Sequence, residues 1–146
     1  MKIREMLDMY INKYELTNGL YLVKRPAQKY WGLVDHYAVI DAGNTSGLFS
    51  SFGQGPILIE KIEGKGNVYS YMSGEWIILG KVKDHHIFAA ALRLAQALND
   101  PSYDLLGNNC EHFARFIAEG RKTSKQVNSF GAMALFFGAV LLLSRD

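Results

Sequence analysis

The order of the secondary-structure patterns constrains this chain most. Segments with the alternation of β-strands come first, at residues 20–25, 35–43, 57–62, 67–72 and 75–82. The last two, NVYSYM and EWIILGKV, are predicted to form a hairpin that turns at Ser73–Gly74. Helical patterns follow. This order predicts an α+β domain in which helices pack on a small antiparallel sheet.

Two helices are predicted after the strands. The first covers residues 85–98, with Asp84 as the expected N-cap. The second begins at Cys110, after Asn108 and Asn109, and ends at Gly120, a residue suited to the left-handed conformation that closes helices.

The composition excludes several classes of protein. A chain of 146 residues that is 49% hydrophobic can bury one core and is not disordered. A net charge of +2, with no Lys/Arg cluster interleaved with aromatic residues, argues against nucleic acid as a partner. A single cysteine allows neither an internal disulfide nor a multi-cysteine zinc site, and we expect no metal or cofactor.

The two ends of the chain differ from the domain at 18–121 that they flank. Residues 1–17 are predicted to contain an amphipathic helix, because apolar side chains share one helical face over 3–16. A linker, 122–129, leads to the uncharged stretch FGAMALFFGAVLLL. That stretch spans roughly 21 Å as a helix, against about 30 Å of bilayer hydrocarbon. We expect a membrane-tail helix over 130–144, with a buried core helix as the alternative.

The cysteine stands where a thiol is easily activated. Backbone N–H groups and the helix dipole at a helix N-terminus both favour thiolate over thiol, and Asn109 or Asn108 is a natural cap there. Cys110 is therefore a candidate nucleophile. The alternative is a buried cysteine that acts as a small hydrophobic residue.

A nucleophilic thiol needs a base, and His36 is the candidate among four histidines. His112 lies roughly 200° around the helix from Cys110 and is expected to point away. His85 and His86 begin the long helix and are expected to be solvated. His36 opens the strand HYAVI, and a strand can present an imidazole to the N-terminus of a helix packed on its sheet.

HYAVIDAG followed by YDLLGNNCEHFARFIAEG resembles the lecithin retinol acyltransferase-like family, most of all its small phospholipase A/acyltransferase (HRAS-like suppressor) group. The resemblance implies a circularly permuted papain-like (NlpC-type) fold for 18–121. It also implies a thioester on Cys110, formed from a glycerophospholipid and passed to water, an amine or a lysolipid. The protein would then be membrane-associated through its apolar tail, with the catalytic domain in the cytosol.

The chain departs from that family at the third catalytic position. The family carries a second histidine on the next strand, and here no histidine lies between His36 and His85. By pattern Glu60 takes this position and would orient His36, as a carboxylate does in serine proteases. Gln54 and Glu63 are the alternatives.

The sequence-based mechanism has His36 deprotonate Cys110, with the Cys110 backbone N–H holding the oxyanion. His36 is expected to act as the neutral ring, so activity should rise through the imidazole pKa. Two alternatives remain: a permuted papain-like isopeptidase for ubiquitin-like modifiers, and an inactive membrane-anchored module.

Overall fold

The protein is described here from a computed structural model, which defines residues 16–27, 34–100 and 109–121. Five strands form one sheet: β1 Gly19–Pro26, β2 Asp35–Ala42, β3 Ile57–Ile62, β4 Gly66–Tyr71 and β5 Ile77–Lys81. Two helices follow, α1 Ile87–Leu98 and α2 Cys110–Glu119, with short 3-10 turns at Ser50–Phe52 and Asp84–His86. The predicted α+β class and the small antiparallel sheet are confirmed.

The strand order, β4-β3-β2-β1-β5, shows that the predicted hairpin between the last two strands is wrong. β4 instead forms a hairpin with β3, in which Ile62 pairs with Gly66. The turn between them contains Gly64, whose φ of 79° suits a residue without a side chain. β5 crosses to the far edge and pairs with β1. Long-range pairing with β1 therefore outweighed the local turn signal at Ser73–Gly74.

The two faces of the sheet carry separate apolar cores. One face packs against the helices, and its core combines strand residues such as Val39 and Ile59 with Phe113 and Ile117 of α2. The other face carries Tyr21, Val23, Ala38, Ile40, Ala42, Leu58, Met72 and Trp76. Alternation along the strands produces this division, because successive side chains point to opposite faces.

Helix α2 lies on β2 and also touches β1 and β3, while α1 packs mainly on α2. Arg93 of α1 donates from Nε to the carbonyl of Ile117, at 3.1 Å, which ties the two helices together. Gly120 ends α2 with a φ of 76°, as predicted. The sheet thus supports α2 directly, and α2 supports α1.

The start of α1 differs from its prediction. Asp84 begins a 3-10 turn and makes no side-chain capping hydrogen bond, so its expected role as N-cap is wrong. The other end of α1 has a partner from the sheet. Asn67 donates through Nδ2 to the carbonyls of Ala97, Leu98 and Asp100, at 3.0–3.1 Å.

The predicted N-terminal helix, the linker at 122–129 and the apolar tail at 130–144 lie outside the described residues. Within the described ranges, neither helix has the length and apolar character needed to cross a bilayer.

Candidate active site

The pairing of β2 with β3 brings His36 and Glu60 to the same face of the sheet. Val39 pairs with Ile59 in this antiparallel ladder. Continued by one residue, the same register puts Glu60 opposite Ala38, two residues from His36. Side chains two residues apart on a strand share a face, and diagonal neighbours across a ladder are within reach of long side chains.

The contact between the two side chains is a hydrogen bond. His36 Nε2 lies 2.7 Å from Glu60 Oε2, and only 18% and 9% of the two side chains are exposed. A carboxylate bound to one ring nitrogen fixes the orientation of the imidazole and leaves the other nitrogen for a different partner.

That second partner is the cysteine. Cys110 is the first residue of α2, and its side chain is half-buried. Hydrogen-bonding and charge interactions with both Cys110 and Glu60 act on the His36 ring. An imidazole 74 positions earlier in the chain therefore interacts with both the only thiol of the protein and a buried carboxylate.

The N-terminus of α2 is closed by a capping box. The Asn109 side chain accepts a hydrogen bond from the His112 backbone N–H, at 3.0 Å, and the His112 ring accepts one from the Asn109 N–H, at 3.4 Å. Within the described ranges, no group accepts a hydrogen bond from the Cys110 N–H. The caps thus fix the turn that presents Cys110. His112 serves the helix end, as expected for a ring pointing away from the thiol.

The His36 ring is poised to carry charge. Burial lowers the pKa of His36, but interactions with Cys110 and Glu60 oppose it more strongly and raise the pKa to about 9. Both neighbours therefore favour the protonated form of the ring.

Trp76 forms one wall of the site. Its ring centroid lies 5.9 Å from that of His36, and the indole is fully buried. The indole N–H donates to the Ser73 carbonyl at 2.9 Å, within the connection that carries the chain from β4 to β5. Sequence reasoning did not identify Trp76, because the pattern predicts a local hairpin turn at this connection.

A buried ion pair within α2 lies beside β2. Arg115 Nε donates to Glu111 Oε2 at 2.8 Å, and Glu111 is completely buried. The Arg115 guanidinium also lies 5.3 Å from the centroid of the Tyr37 ring. Burial and the Glu111 charge raise the pKa of Tyr37. Arg115 therefore links the ion pair of the cysteine helix to the strand that carries His36.

The remaining sequence candidates do not contact His36. Gln54 and Glu63 are exposed, in a loop and in the β3–β4 turn. His85 and His86 are exposed in a 3-10 turn, with their rings 4.0 Å apart. Across the described ranges, no group of three or more His, Cys, Asp or Glu residues is arranged to hold a metal ion.

The comparisons with known proteins found no match for this chain among protein-family models, curated proteins or solved structures.

Proposed function

We propose that this protein is a thiol-dependent acyl hydrolase or acyltransferase that acts on glycerophospholipids. In this proposal Cys110 is the nucleophile, His36 exchanges protons with it and Glu60 orients His36. The domain at 18–121 would be a circularly permuted papain-like domain, with the histidine strand before the cysteine helix in the chain.

The observation that carries the proposal is that the His36 ring interacts with both Cys110 and Glu60. A thiol, an imidazole and an orienting carboxylate are the three parts of an activated cysteine nucleophile. The inactive alternative supposes that the orienting group has been lost, whereas Glu60 lies within hydrogen-bonding distance of the ring.

The first half-reaction would form a thioester. The Cys110 thiolate attacks the ester carbonyl, and the Cys110 backbone N–H stabilises the oxyanion of the tetrahedral intermediate; one such donor is typically worth about 3–4 kcal/mol. The bond from carbon to the glycerol oxygen then breaks. The departing lysophospholipid oxygen takes its proton from the His36 imidazolium, and Glu60 keeps the ring aligned.

The second half-reaction would release the acyl group. The neutral His36 ring accepts a proton from water, an amine or a lysolipid hydroxyl as that group attacks the thioester carbonyl. The carbon–sulfur bond breaks, and thiolate and imidazolium are restored. The same site therefore supports hydrolysis or transfer, depending on which acceptor reaches the thioester.

Two stretches of the sequence favour a lipid substrate. The run NNCEHF resembles the lipid-metabolising family, and the apolar stretch 130–143 suits attachment to a bilayer. We propose that the protein is membrane-associated through this stretch, with the catalytic domain in the cytosol.

The test is a pair of substrates offered to the purified full chain. A fluorescent phospholipid in detergent micelles should be hydrolysed, and a fluorogenic amide on the C-terminus of a ubiquitin-like protein should not. Cys110→Ser should lose at least about 10³-fold of the phospholipid activity, since a hydroxyl is a far weaker nucleophile than a thiolate at neutral pH.

Two outcomes would overturn the proposal. Cleavage of the ubiquitin-like amide alone would assign the site to an isopeptidase. Undiminished phospholipid turnover by Cys110→Ser would remove Cys110 as the nucleophile. His86→Gln, which changes an exposed histidine in the 3-10 turn before α1, is the matched control and should retain full activity.

A further inference from the structure

Arg25 lies directly beside the candidate active site, and no charged partner for it occurs among the residues that the structure describes. In the ladder between β1 and β2, Arg25 pairs with His36. Residues directly opposite each other on antiparallel strands project to the same face, with Cα atoms about 4.5–5.5 Å apart. The arginine side chain therefore shares the face that carries His36 and Glu60.

The guanidinium of Arg25 is held by an aromatic ring. Its Cζ atom lies 4.5 Å from the centroid of Trp76, the indole that also flanks His36. A methyl group placed on Gly74 would come within 3.2 Å of Arg25 Nη1, so the guanidinium also lies against the β4–β5 connection. Trp76 and Gly74 thus position a rigid planar cation.

No anion compensates this cation within the described ranges. The ion pairs there join Lys24 to Asp35, His36 to Glu60, and Arg115 to Glu111 and Glu119. Arg25 belongs to none of them, and its guanidinium makes no hydrogen bond to another described residue. Its five N–H donors are thus not used by the described part of the chain.

Arg25 lies opposite a histidine whose own charge is paired with Glu60. A bound anion would supply the counter-charge for Arg25. Arginine suits phosphate in particular, because its planar fork matches two phosphate oxygens at once.

We propose that Arg25 and Trp76 form a subsite for the phosphodiester of the lipid substrate, next to the reacting ester. This inference rests on the proposed function and extends it, since it names the group that distinguishes a phospholipid from a neutral acylglycerol. Arg25 is a specificity-determining residue in this account: it binds the head group and takes no part in proton transfer.

A first experiment tests the anion site without requiring turnover. The full chain is alkylated at Cys110 with iodoacetate, an anion, and with iodoacetamide, its neutral analogue of similar size. Arg25→Gln should lower the ratio of the iodoacetate rate to the iodoacetamide rate by at least fivefold. Arg25→Lys should retain most of the wild-type ratio, because it keeps the positive charge. Lys83→Gln, at an exposed cation beyond β5, is the control and should leave the ratio unchanged.

A second experiment identifies the anion as the lipid head group. Dihexanoylphosphatidylcholine and dihexanoylglycerol carry the same acyl esters and differ by the phosphodiester and its choline. Arg25→Gln should raise KM for the phospholipid by about tenfold and leave kcat/KM for the diacylglycerol unchanged.

The outcomes separate the subsite from the proposed function. An unchanged alkylation ratio in Arg25→Gln, or an equal loss with both lipids, would overturn the subsite. If neither lipid is turned over by the wild-type protein, the phospholipase proposal fails, and the alkylation ratio still decides whether an anion site lies beside Cys110. If Arg25→Gln does not fold, Arg25→Lys decides, because it should retain the alkylation ratio while losing affinity for the phospholipid.

Discussion

The His36 ring is hydrogen-bonded to the Glu60 carboxylate across the β2–β3 pair, with 2.7 Å between Nε2 and Oε2. The partners are 24 residues apart in the chain and meet because the ladder register puts both on one face of the sheet. In the proposed mechanism this contact leaves the second ring nitrogen for exchange with Cys110.

Removing the carboxylate should slow catalysis without removing the nucleophile. Glu60→Gln keeps the size of the side chain but cannot stabilise the imidazolium, and we expect kcat/KM for phospholipid to fall about 10²-fold. Glu63→Gln is the matched control, because Glu63 is exposed in the adjacent turn, and its activity should equal that of the wild type. Equal activity of Glu60→Gln and Glu63→Gln would exclude Glu60 as the orienting group.

The protonation of His36 can be measured directly. Histidine side-chain NMR signals, followed against pH, should give His36 a pKa near 9, whereas the ordinary value is 6.5. Glu60→Gln and Cys110→Ser should each lower that pKa, because each removes a group that stabilises the protonated ring. Phospholipid turnover should fall as the pH rises through about 9, since the imidazolium supplies the proton to the leaving group. A His36 that titrates near 6.5 would contradict the coupling to both neighbours.

The same shift makes folding depend on pH. Because the folded-state pKa of His36 is above its ordinary value, the folded state binds this proton more tightly than the unfolded chain. The resulting stabilisation is complete below about pH 6.5 and is lost as the pH rises through about 9, with an upper limit of about 3 kcal/mol. Urea unfolding between pH 6 and 10 gives the free energy of unfolding of the wild type and of His36→Gln. The difference between the two should become smaller as the pH rises, and a difference that stays constant with pH would contradict this prediction.

The buried ion pair of α2 should matter more for stability than its exposed neighbour. Arg115→Met removes a cation that is hydrogen-bonded to the fully buried Glu111 carboxylate, and we expect the free energy of unfolding to fall by about 3–5 kcal/mol. Glu119→Gln also removes a partner of Arg115, but 39% of the Glu119 side chain is exposed, so the expected loss is under about 1 kcal/mol. Similar losses in the two variants, measured by urea unfolding, would show that the burial of Glu111 does not decide the effect.

The apolar C-terminal stretch gives a separable prediction. Deleting residues 128–146 should release the protein from phospholipid vesicles in a flotation assay and leave hydrolysis of a soluble ester intact. A truncated protein that fails to fold, judged by loss of its cooperative unfolding transition, would show that the stretch belongs to the core of the domain.

The sequence predicted the elements of this fold better than their arrangement. The strands at β1, β2 and β3 follow from alternation, and α2 follows from the Asn109 cap and Gly120, because these signals are local. The pairing of β5 with β1 joins strands more than fifty residues apart, and no local pattern encodes it. The prediction of Asp84 as the N-cap was wrong because a 3-10 turn that begins at Asp84 precedes α1.

The candidate site shows the same division between local and long-range information. Cys110 and His36 were selected by their chemistry and by family resemblance, and Glu60 by its position on the next strand. Alternation alone did not decide among Glu60, Gln54 and Glu63, because which of them reaches His36 depends on the register of β3 against β2. The placement of Trp76 beside His36 depends on the β4–β5 crossover, which the sequence did not reveal, whereas Arg25 faces His36 through the pairing of β1 with β2.

The central claim is that Cys110 forms a covalent acyl intermediate. The most direct test is intact-protein mass spectrometry after a brief reaction with dihexanoylphosphatidylcholine that is stopped with acid. We expect a mass increase of one hexanoyl group on the wild-type protein, localised to Cys110 by peptide mapping and removed by hydroxylamine, and no adduct on Cys110→Ser. Hydrolysis of the lipid with no adduct on Cys110 at any quench time, or an adduct that persists in Cys110→Ser, would contradict the account.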